Sequence, residues 1–415
     1  MFFRTQKGIK DLATTRGAAE ALRRFTRERA EINDLHLALC RIPAPTFFEE
    51  KRGAFCIEKL AGFGYSARLD RAGNVVATLP ADAGKPLVAV TAHLDTVLAP
   101  RIPEEIRLAP DGRFLGPGVA DNGPGVTALL VLAQAYAQSA AEAIGEQRRG
   151  LVFVANVGEE GEGNLSGMRY LCRQSALASQ IESYVVLDGP GSEHITAQAL
   201  ASRRFEILFQ GPGGHSWSDA ANPNAIHALS RTICDFLDCQ QRRAGFMESR
   251  YGRASAGFTL IDGGTSINSI PTAARAKLDL RSESGEVLNE LAELLTDCVE
   301  RALVQENDPA RPKRGTARMT AKIREIGSRP AGRLPESSPL LAAILAVDEY
   351  LGIPSRRDCA STDANIPLSM GLEAICVGCG GSGGGAHTDG EWFHPEGRDL
   401  GLKRIYLTLL RLLRD

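Results

Sequence analysis

No stretch of this 415-residue chain approaches the roughly 20 consecutive apolar residues that a bilayer-spanning helix needs. The opening residues, Met1-Phe-Phe-Arg-Thr-Gln-Lys-Gly8, lack the continuous apolar core of a secretory signal, so a cytoplasmic protein is expected. Neither sign of charge is in excess: 48 Lys and Arg stand against 50 Asp and Glu, a net charge of −2. That balance gives no electrostatic reason to invoke nucleic acid or an anionic membrane as partner. The short basic segment 310–314 (Ala-Arg-Pro-Lys-Arg) reads as a solvated loop. The nine cysteines are an odd number scattered through apolar or helical contexts, as at Cys40, Cys56, Cys172, Cys234 and Cys298. Such a pattern suits buried thiols in a reducing compartment and not a disulfide framework. Cys376-Val-Gly-Cys379 has CxxC spacing, but no second pair accompanies it and no helix follows as a thioredoxin-like motif requires. Internal repeats are absent, and the low-complexity tract is confined to the glycines at 378–385. That tract lacks the Gly-Lys-Ser/Thr ending of a phosphate-binding loop. An anion cradle in a small-molecule binding protein stays open as an alternative of another class.

What is present is ordinary soluble-protein composition, 43% hydrophobic and 24% charged, at a length that argues for two or three domains. Residues 17–40 carry Ala21, Leu22, Phe25, Ala30, Ile32, Leu35 and Leu39 near helical spacing, which predicts one amphipathic helix. A second helix is expected over 48–60, strands over 65–69 and 74–79, and helices over 125–140 and 166–179. Runs such as Leu87-Val-Ala-Val-Thr-Ala92, Leu151-Val-Phe-Val-Ala-Asn-Val157, Tyr184-Val-Val-Leu187 and Ala374-Ile-Cys-Val377 read as strands buried on both faces. Alternation of such strands with helices predicts a mostly parallel sheet flanked by helices. After Asp188 the texture changes. Strands are expected over 195–209, 256–261, 273–281 and 316–326, with helices over 224–239 and 285–304. Ala274, Ala276, Leu278 and Leu280 alternate with Arg275, Lys277, Asp279 and Arg281, the mark of a sheet with one covered and one wet face. The buried α/β pattern resumes near Pro339. The expected organisation is one catalytic domain (1–192 and 329–415) interrupted by an inserted domain (193–328).

The chemistry-bearing residues stand where these elements end. His93 follows the first run, Glu159 and Glu160 the second, Asp188 the third, and His387 follows the fourth through the glycine-rich loop. Asp121 opens the 125–140 helix. In an open α/β sheet the ligand site lies outside the carboxyl ends of the strands, so these positions should converge. Two histidines and three carboxylates form a donor set for a pair of divalent ions. Without sulfur ligands, that set accepts zinc, cobalt or manganese. Asp95 shares a strand face with His93 and can accept from its second ring nitrogen, fixing the tautomer. Adjacent Glu159 and Glu160 repel unless one is neutral or bound to a cation; a metal on Glu160 leaves Glu159 free as general base. Plainer readings exist for several of these: Asp121 is a natural helix N-cap, and Glu162 an exposed acidic turn. His36, His194, His227 and His394 read as structural or solvent-facing.

His93-Leu-Asp-Thr, Gly118-Val-Ala-Asp121, Glu159-Glu160, Asp188-Gly, Gly214-His-Ser, Gly263-Gly-Thr-Ser-Ile-Asn-Ser-Ile-Pro271 and Ala386-His-Thr-Asp-Gly-Glu391 together resemble the M20 metallopeptidases. The motifs occur in the family's order from about residue 30 onward. The resemblance implies a zinc exopeptidase-like α/β catalytic domain with an inserted α+β, ferredoxin-like lid and dimerisation domain. It implies two divalent ions, zinc first: Asp121 bridging, His93 and Asp188 completing one site, Glu160 and His387 the other. Glu159 takes the role of general base and Asp95 orients His93. In the inserted domain His215 resembles the histidine that stabilises the oxyanion in a partner subunit, so a homodimer is expected. Asn268 and Arg281 resemble lid residues that contact substrate, Arg281 holding a carboxylate, although a turn histidine and a solvated arginine are the plain alternatives. Many relatives follow the bridging Asp with an acid and a Lys, where this chain has Asn122-Gly-Pro-Gly125. Their peptide bond after that Asp is often cis, which implies a cis Asp121–Asn122 bond here. Asp188 followed by Gly looks closer to peptidase T-like aminopeptidases, so an exopeptidase acting on short peptides is expected. The alternative is an N-acyl-amino-acid amidohydrolase or carboxypeptidase on the same scaffold.

Overall fold

The computed structural model describes residues 2–144, 147–251, 253–308 and 318–414; the basic segment 310–314 and the start of the strand expected at 316 lie outside them. The chain divides into two compact units, Met1–Ala199 with Gly332–Asp415, and Leu200–Ala331. The inserted unit therefore begins and ends somewhat later than the 193–328 expected. The reason is that His194–Ala199 and Gly332–Arg333 pair with each other and belong to the first unit's sheet.

That sheet has nine strands. Its centre runs Gly150–Asn156, Leu87–His93, Ile181–Leu187 and Glu373–Val377, each parallel to the next. Every residue of Leu87–His93 and Gly150–Asn156 is buried, as continuous apolar runs covered on both faces must be. Antiparallel neighbours extend the sheet: Ser66–Leu69 and Val75–Thr78 on one side, His194–Ala199 and Gly332–Arg333 on the other. The fold is thus α/β, a mostly parallel mixed sheet flanked by helices, with the long Gly123–Ile144 helix in its core cluster. Because the central strands run the same way, Asn156, His93, Leu187 and Val377 all end at one edge, with His93 opposite Asn156 and Val377 opposite Leu187.

Some elements differ from expectation. The helix predicted over 17–40 is two, Arg16–Arg27 and Arg29–Cys40, broken at Glu28, whose backbone leaves the helical region at φ −96°, ψ 33°. Both halves pack on the Gly123–Ile144 helix, and the turn lets each lay its own apolar stripe on it. The helix after Ser166 stops at Arg173, while Ala225–Tyr251 is longer than its apolar pattern suggested.

The inserted unit is a four-stranded antiparallel sheet in the order Ala254–Gly263, Ala273–Ser282, Ala201–Gln210, Thr320–Arg329. Helices Ala225–Tyr251 and Gly285–Glu306 contribute Leu229, Phe236, Leu291 and Leu295 to its own core, against Phe205, Ile207, Phe209, Leu278 and Leu280. Ala274, Ala276, Leu278 and Leu280 are buried as the alternation requires.

Candidate metal centre

Loops leaving the sheet edge bring the expected residues together. His93 is the last residue of its strand, Glu159 and Glu160 follow the Gly150–Asn156 strand, and Asp188 follows Leu187 directly. Asp121 precedes the Gly123–Ile144 helix, and His387 is held at φ 66° beyond the glycine-rich loop. That loop is built for close packing: a Cβ on Gly378 would lie 2.3 Å from the Pro190 carbonyl oxygen. Close backbone packing is therefore one reason this position is glycine. Cys376 and Cys379 are buried free thiols.

The two oxygens of Asp121 face different histidines. Oδ1 lies 3.2 Å from His93 Nε2, and Oδ2 lies 3.0 Å from His387 Nε2. Asp188 Oδ1 is 3.7 Å from the same His93 nitrogen, and Glu160 Oε1 is 2.8 Å from the same His387 nitrogen. Donor atoms of His93, Asp121 and Asp188 lie within 4.8 Å of one another, as do those of Asp121, Glu160 and His387, and of His93, Glu159 and Glu160. Asp121 Oδ1 is buried without a hydrogen-bond partner, although buried polar atoms normally have one. Two three-residue donor sets sharing one carboxylate, with an unsatisfied oxygen between them, fit a pair of divalent cations.

Charge in the cluster is correspondingly unbalanced. Burial alone would lower His93, but its contacts with Asp121, Asp188 and Asp95 hold it well above the usual histidine value. His387 is pushed up to about 10 by Asp121 and Glu160. Against the effect of burial, these imidazoles hold Asp121 far below the usual carboxylate range. A site that draws protons onto both imidazoles is one that favours positive charge.

Three side chains clamp the loops through backbone amides. Asp95 accepts from Glu159 N at 3.0 Å and Glu160 N at 2.9 Å, and from Thr46 Oγ1 at 2.9 Å. Its carboxylate is 3.5 Å from His93 Nδ1, whereas its own carbonyl is 3.0 Å away. The nearest partner of that ring nitrogen is thus the Asp95 backbone, and the Asp95 carboxylate chiefly fixes the loop of the two glutamates. Glu391 accepts from Gly118 N (2.8 Å), Ala120 N (2.7 Å) and Asp121 N (2.9 Å), tying the His387 segment to the Asp121 loop. Asn122 donates to Leu187 O at 2.8 Å and accepts from Gly125 N and Gly189 N, bracketing Asp188. An ionised Asp at 122 could not donate the first of these bonds. The Asp121–Asn122 peptide bond is cis. Sequence reasoning missed Asp363, wholly buried, which accepts from Asn156 Nδ2 at 2.5 Å and which burial lifts to about 7. Its only sequence signal is a place just past the Arg356–Ala360 strand.

In the inserted unit, His215 and Asn268 come together through the two-residue strand pair Gly214–His215 and Ser269–Ile270. His215 is exposed and its Nδ1 accepts from Trp217 N at 3.2 Å, which leaves the proton on Nε2. Arg281 lies at the far end of the Ala273–Ser282 strand and donates to Asp279 Oδ2 at 2.8 Å.

Comparison with known proteins gives these features a context. Residues 74–249 match the family model for peptidase family M28, and residues 200–307 match the M20 peptidase dimerisation domain. A LysW-lysine/LysW-ornithine hydrolase of Pyrobaculum aerophilum is 27% identical over 287 residues, covering 68% of this chain and 76% of that protein. A carboxypeptidase of Uncinocarpus reesii is 25% identical over 286 residues, 62% of each chain. Among solved structures, the aminopeptidase PepT of Bacillus cereus superposes with a TM-score of 0.70 at 15% identity, over 92% of this chain and 98% of that one. The YXEP protein of Bacillus subtilis, described as a dinuclear metal-binding peptidase of family M20, superposes with a TM-score of 0.65 at 15% identity, over 94% and 99%. The matched catalytic and dimerisation segments, the shared fold and the sheet-edge donor cluster identify the chain as a hydrolase of the M20/M28 metallopeptidase type.

Proposed function

We propose that this protein is an exopeptidase of the peptidase T type that removes amino-terminal residues from short peptides, using two divalent ions, zinc first. The observation that carries the dinuclear reading is the split of Asp121, one oxygen toward His93 and the other toward His387. Asp121 would be shared between the two ions, His93 and Asp188 would hold one, and Glu160 and His387 would hold the other. When bound, the ions polarise the scissile carbonyl and lower the pKa of water. Glu159, only 4% exposed and grouped with His93 and Glu160, is the general base. It takes the proton of the attacking water and returns it to the leaving amine. Asp95 keeps Glu159 in reach by holding its backbone amide. His215, with a proton on Nε2, is suited to donate to the developing oxyanion. Supplied from a partner subunit, it makes a homodimer part of the reading, which the dimerisation-domain match supports. Asn268 is the accompanying substrate contact.

A second reading, an N-acyl-amino-acid amidohydrolase or carboxypeptidase with Arg281 gripping the product carboxylate, is favoured by relatives described as carboxypeptidases. A panel of tripeptides with free and blocked termini, run with metal analysis of the purified protein, separates the two. Release of the free amino-terminal residue supports the first reading. Cleavage confined to N-blocked substrates supports the second, and an absence of bound divalent metal sinks both.

A further inference from the structure

A cleft of about 620 Å³ opens within the catalytic unit, walled by Leu98, Ala99, Arg101, Ile102, Glu104, Glu105 and Arg107 together with Leu115–Pro117 and Asp389. Its volume lies within the range of small-molecule sites, roughly 300–1,000 Å³. The loop it borders carries one of the proposed ligands, Asp121. Pro117 leads into Gly118–Asp121, and Asp389 stands two positions past His387. With successive Cα atoms about 3.8 Å apart, the Cα atoms of 387 and 389 are at most about 7.6 Å apart, and Asp389 lines the cleft. The wall is also fixed. Gly116 N donates to Glu391 O at 3.1 Å, and the two-residue strands Arg107–Leu108 and Phe114–Leu115 pair with each other, the second also pairing with Trp392–His394 beyond His387.

The lining has two characters. Leu98, Ile102 and Leu115 offer apolar surface, and Ile102 is 55% exposed, a large aliphatic side chain left uncovered by the protein itself. The charged groups are three carboxylates (Glu104, Glu105, Asp389) against two guanidinium groups (Arg101, Arg107). Arg101 and Glu105 neutralise each other at 2.9 Å. The remainder is one excess negative charge, and Asp389 is exposed with no ion-pair partner among the described residues. The α-ammonium of an amino-terminal residue lies one carbon from the scissile carbonyl. A carboxylate two residues from a ligand of the metal centre is therefore suitably placed to meet it.

Resting on the aminopeptidase reading, we infer that this cleft receives the substrate's amino-terminal residue, an aliphatic side chain against Leu98, Ile102 and Leu115 with the free ammonium facing Asp389. The same carboxylate repels a substrate carboxylate at that position and gains nothing from an acylated amine. Asp389 is thus the group that selects a free amino terminus.

The test uses the metal-loaded full chain and compares Leu-Gly-Gly, Gly-Gly-Gly and N-acetyl-Leu-Gly-Gly, with kcat and KM measured separately. Wild type should favour the free over the acetylated peptide by about a hundredfold or more. Asp389→Asn should raise KM for Leu-Gly-Gly about tenfold, leave kcat within a fewfold, and narrow the preference for the free amine. Its bound metal and melting temperature should match wild type. Ile102→Ala should instead reduce the preference for Leu-Gly-Gly over Gly-Gly-Gly several-fold. Calorimetric binding of leucine amide should weaken in both variants. If wild type releases amino-terminal residues but Asp389→Asn keeps the same free-to-acetylated ratio, the subsite is wrong while the aminopeptidase reading stands. If wild type cleaves only the acetylated peptide, both fail together.

Discussion

Glu391 should control how well the centre holds metal, although it is not among the proposed ligands. Its two oxygens receive three amide hydrogen bonds, Oε1 from Ala120 N and Asp121 N, Oε2 from Gly118 N. In Glu391→Gln one oxygen becomes an NH2 group. The amide can turn so that it keeps the two bonds on Oε1, but its NH2 then faces the Gly118 N–H. One charge-assisted bond is lost and two donors oppose each other. A hydrogen bond to a charged group contributes about 1.5–3 kcal/mol. At 1.4 kcal/mol per decade, that predicts a roughly tenfold to hundredfold loss of metal affinity if the whole cost falls on the Asp121 loop. Perturbing partners of metal ligands typically costs affinity in that range. Glu391→Ala should cost more, because all three amides lose their acceptor. Urea unfolding of the EDTA-treated variants measures the structural cost without metal, and calorimetric zinc titration of the same samples measures affinity. Glu391→Gln with unchanged zinc affinity and an unfolding free energy within about 0.5 kcal/mol of wild type would falsify the clamp argument, since surface-like substitutions stay within that margin.

Other expectations are independent of that one. Glu159→Gln should retain the wild-type metal stoichiometry and lose about 10²–10⁴ in kcat, the usual contribution of a positioned general base; turnover near wild type removes Glu159 from the reaction. The metal-free protein should lose stability as pH rises. Its folded-state histidines are raised, His387 to about 10 and His93 well above the ordinary value, so the stability they contribute is complete below about pH 6.5 and fades as pH climbs toward 10. Melting temperatures in EDTA should fall across that window, and a flat profile contradicts the assignment. Arg404 and Asp348, both fully buried, form a two-pronged pair at 2.6 and 2.7 Å. Arg404→Ala should destabilise by about 3–5 kcal/mol by stranding Asp348. A loss under about 1 kcal/mol in urea unfolding argues against it.

The positions of the donor residues were legible because each ends or begins a strongly patterned element. An apolar run of strand length announces its own carboxyl terminus, and His93, Glu160 and Asp188 sit there. The alternation around Leu278 likewise exposed the two faces of the inserted sheet. The clamps were not legible, because their partners are backbone amides, which every residue possesses. Glu391 could be read as part of a motif but not as the acceptor of three N–H groups. Asp95 pointed in sequence to His93, while its carboxylate serves the amides of Glu159 and Glu160 more closely. The break at Glu28 was hidden since apolar spacing continues across it. The short strands Arg107–Leu108 and Phe114–Leu115, two residues each, are below the length at which periodicity carries information.

The interlocking of the loops also bears on when hydrolytic power can arise. His93 and His387 lie either side of the whole inserted unit, and Glu391 secures the Asp121 loop only after the later segment has folded onto the earlier one. A nascent chain lacking that later segment would hold four of the five proposed metal ligands and would lack the Glu391 hydrogen bonds to the Asp121 loop. Such fragments should therefore hold metal poorly, so the topology ties hydrolytic competence to the folding of the later segment onto the earlier one.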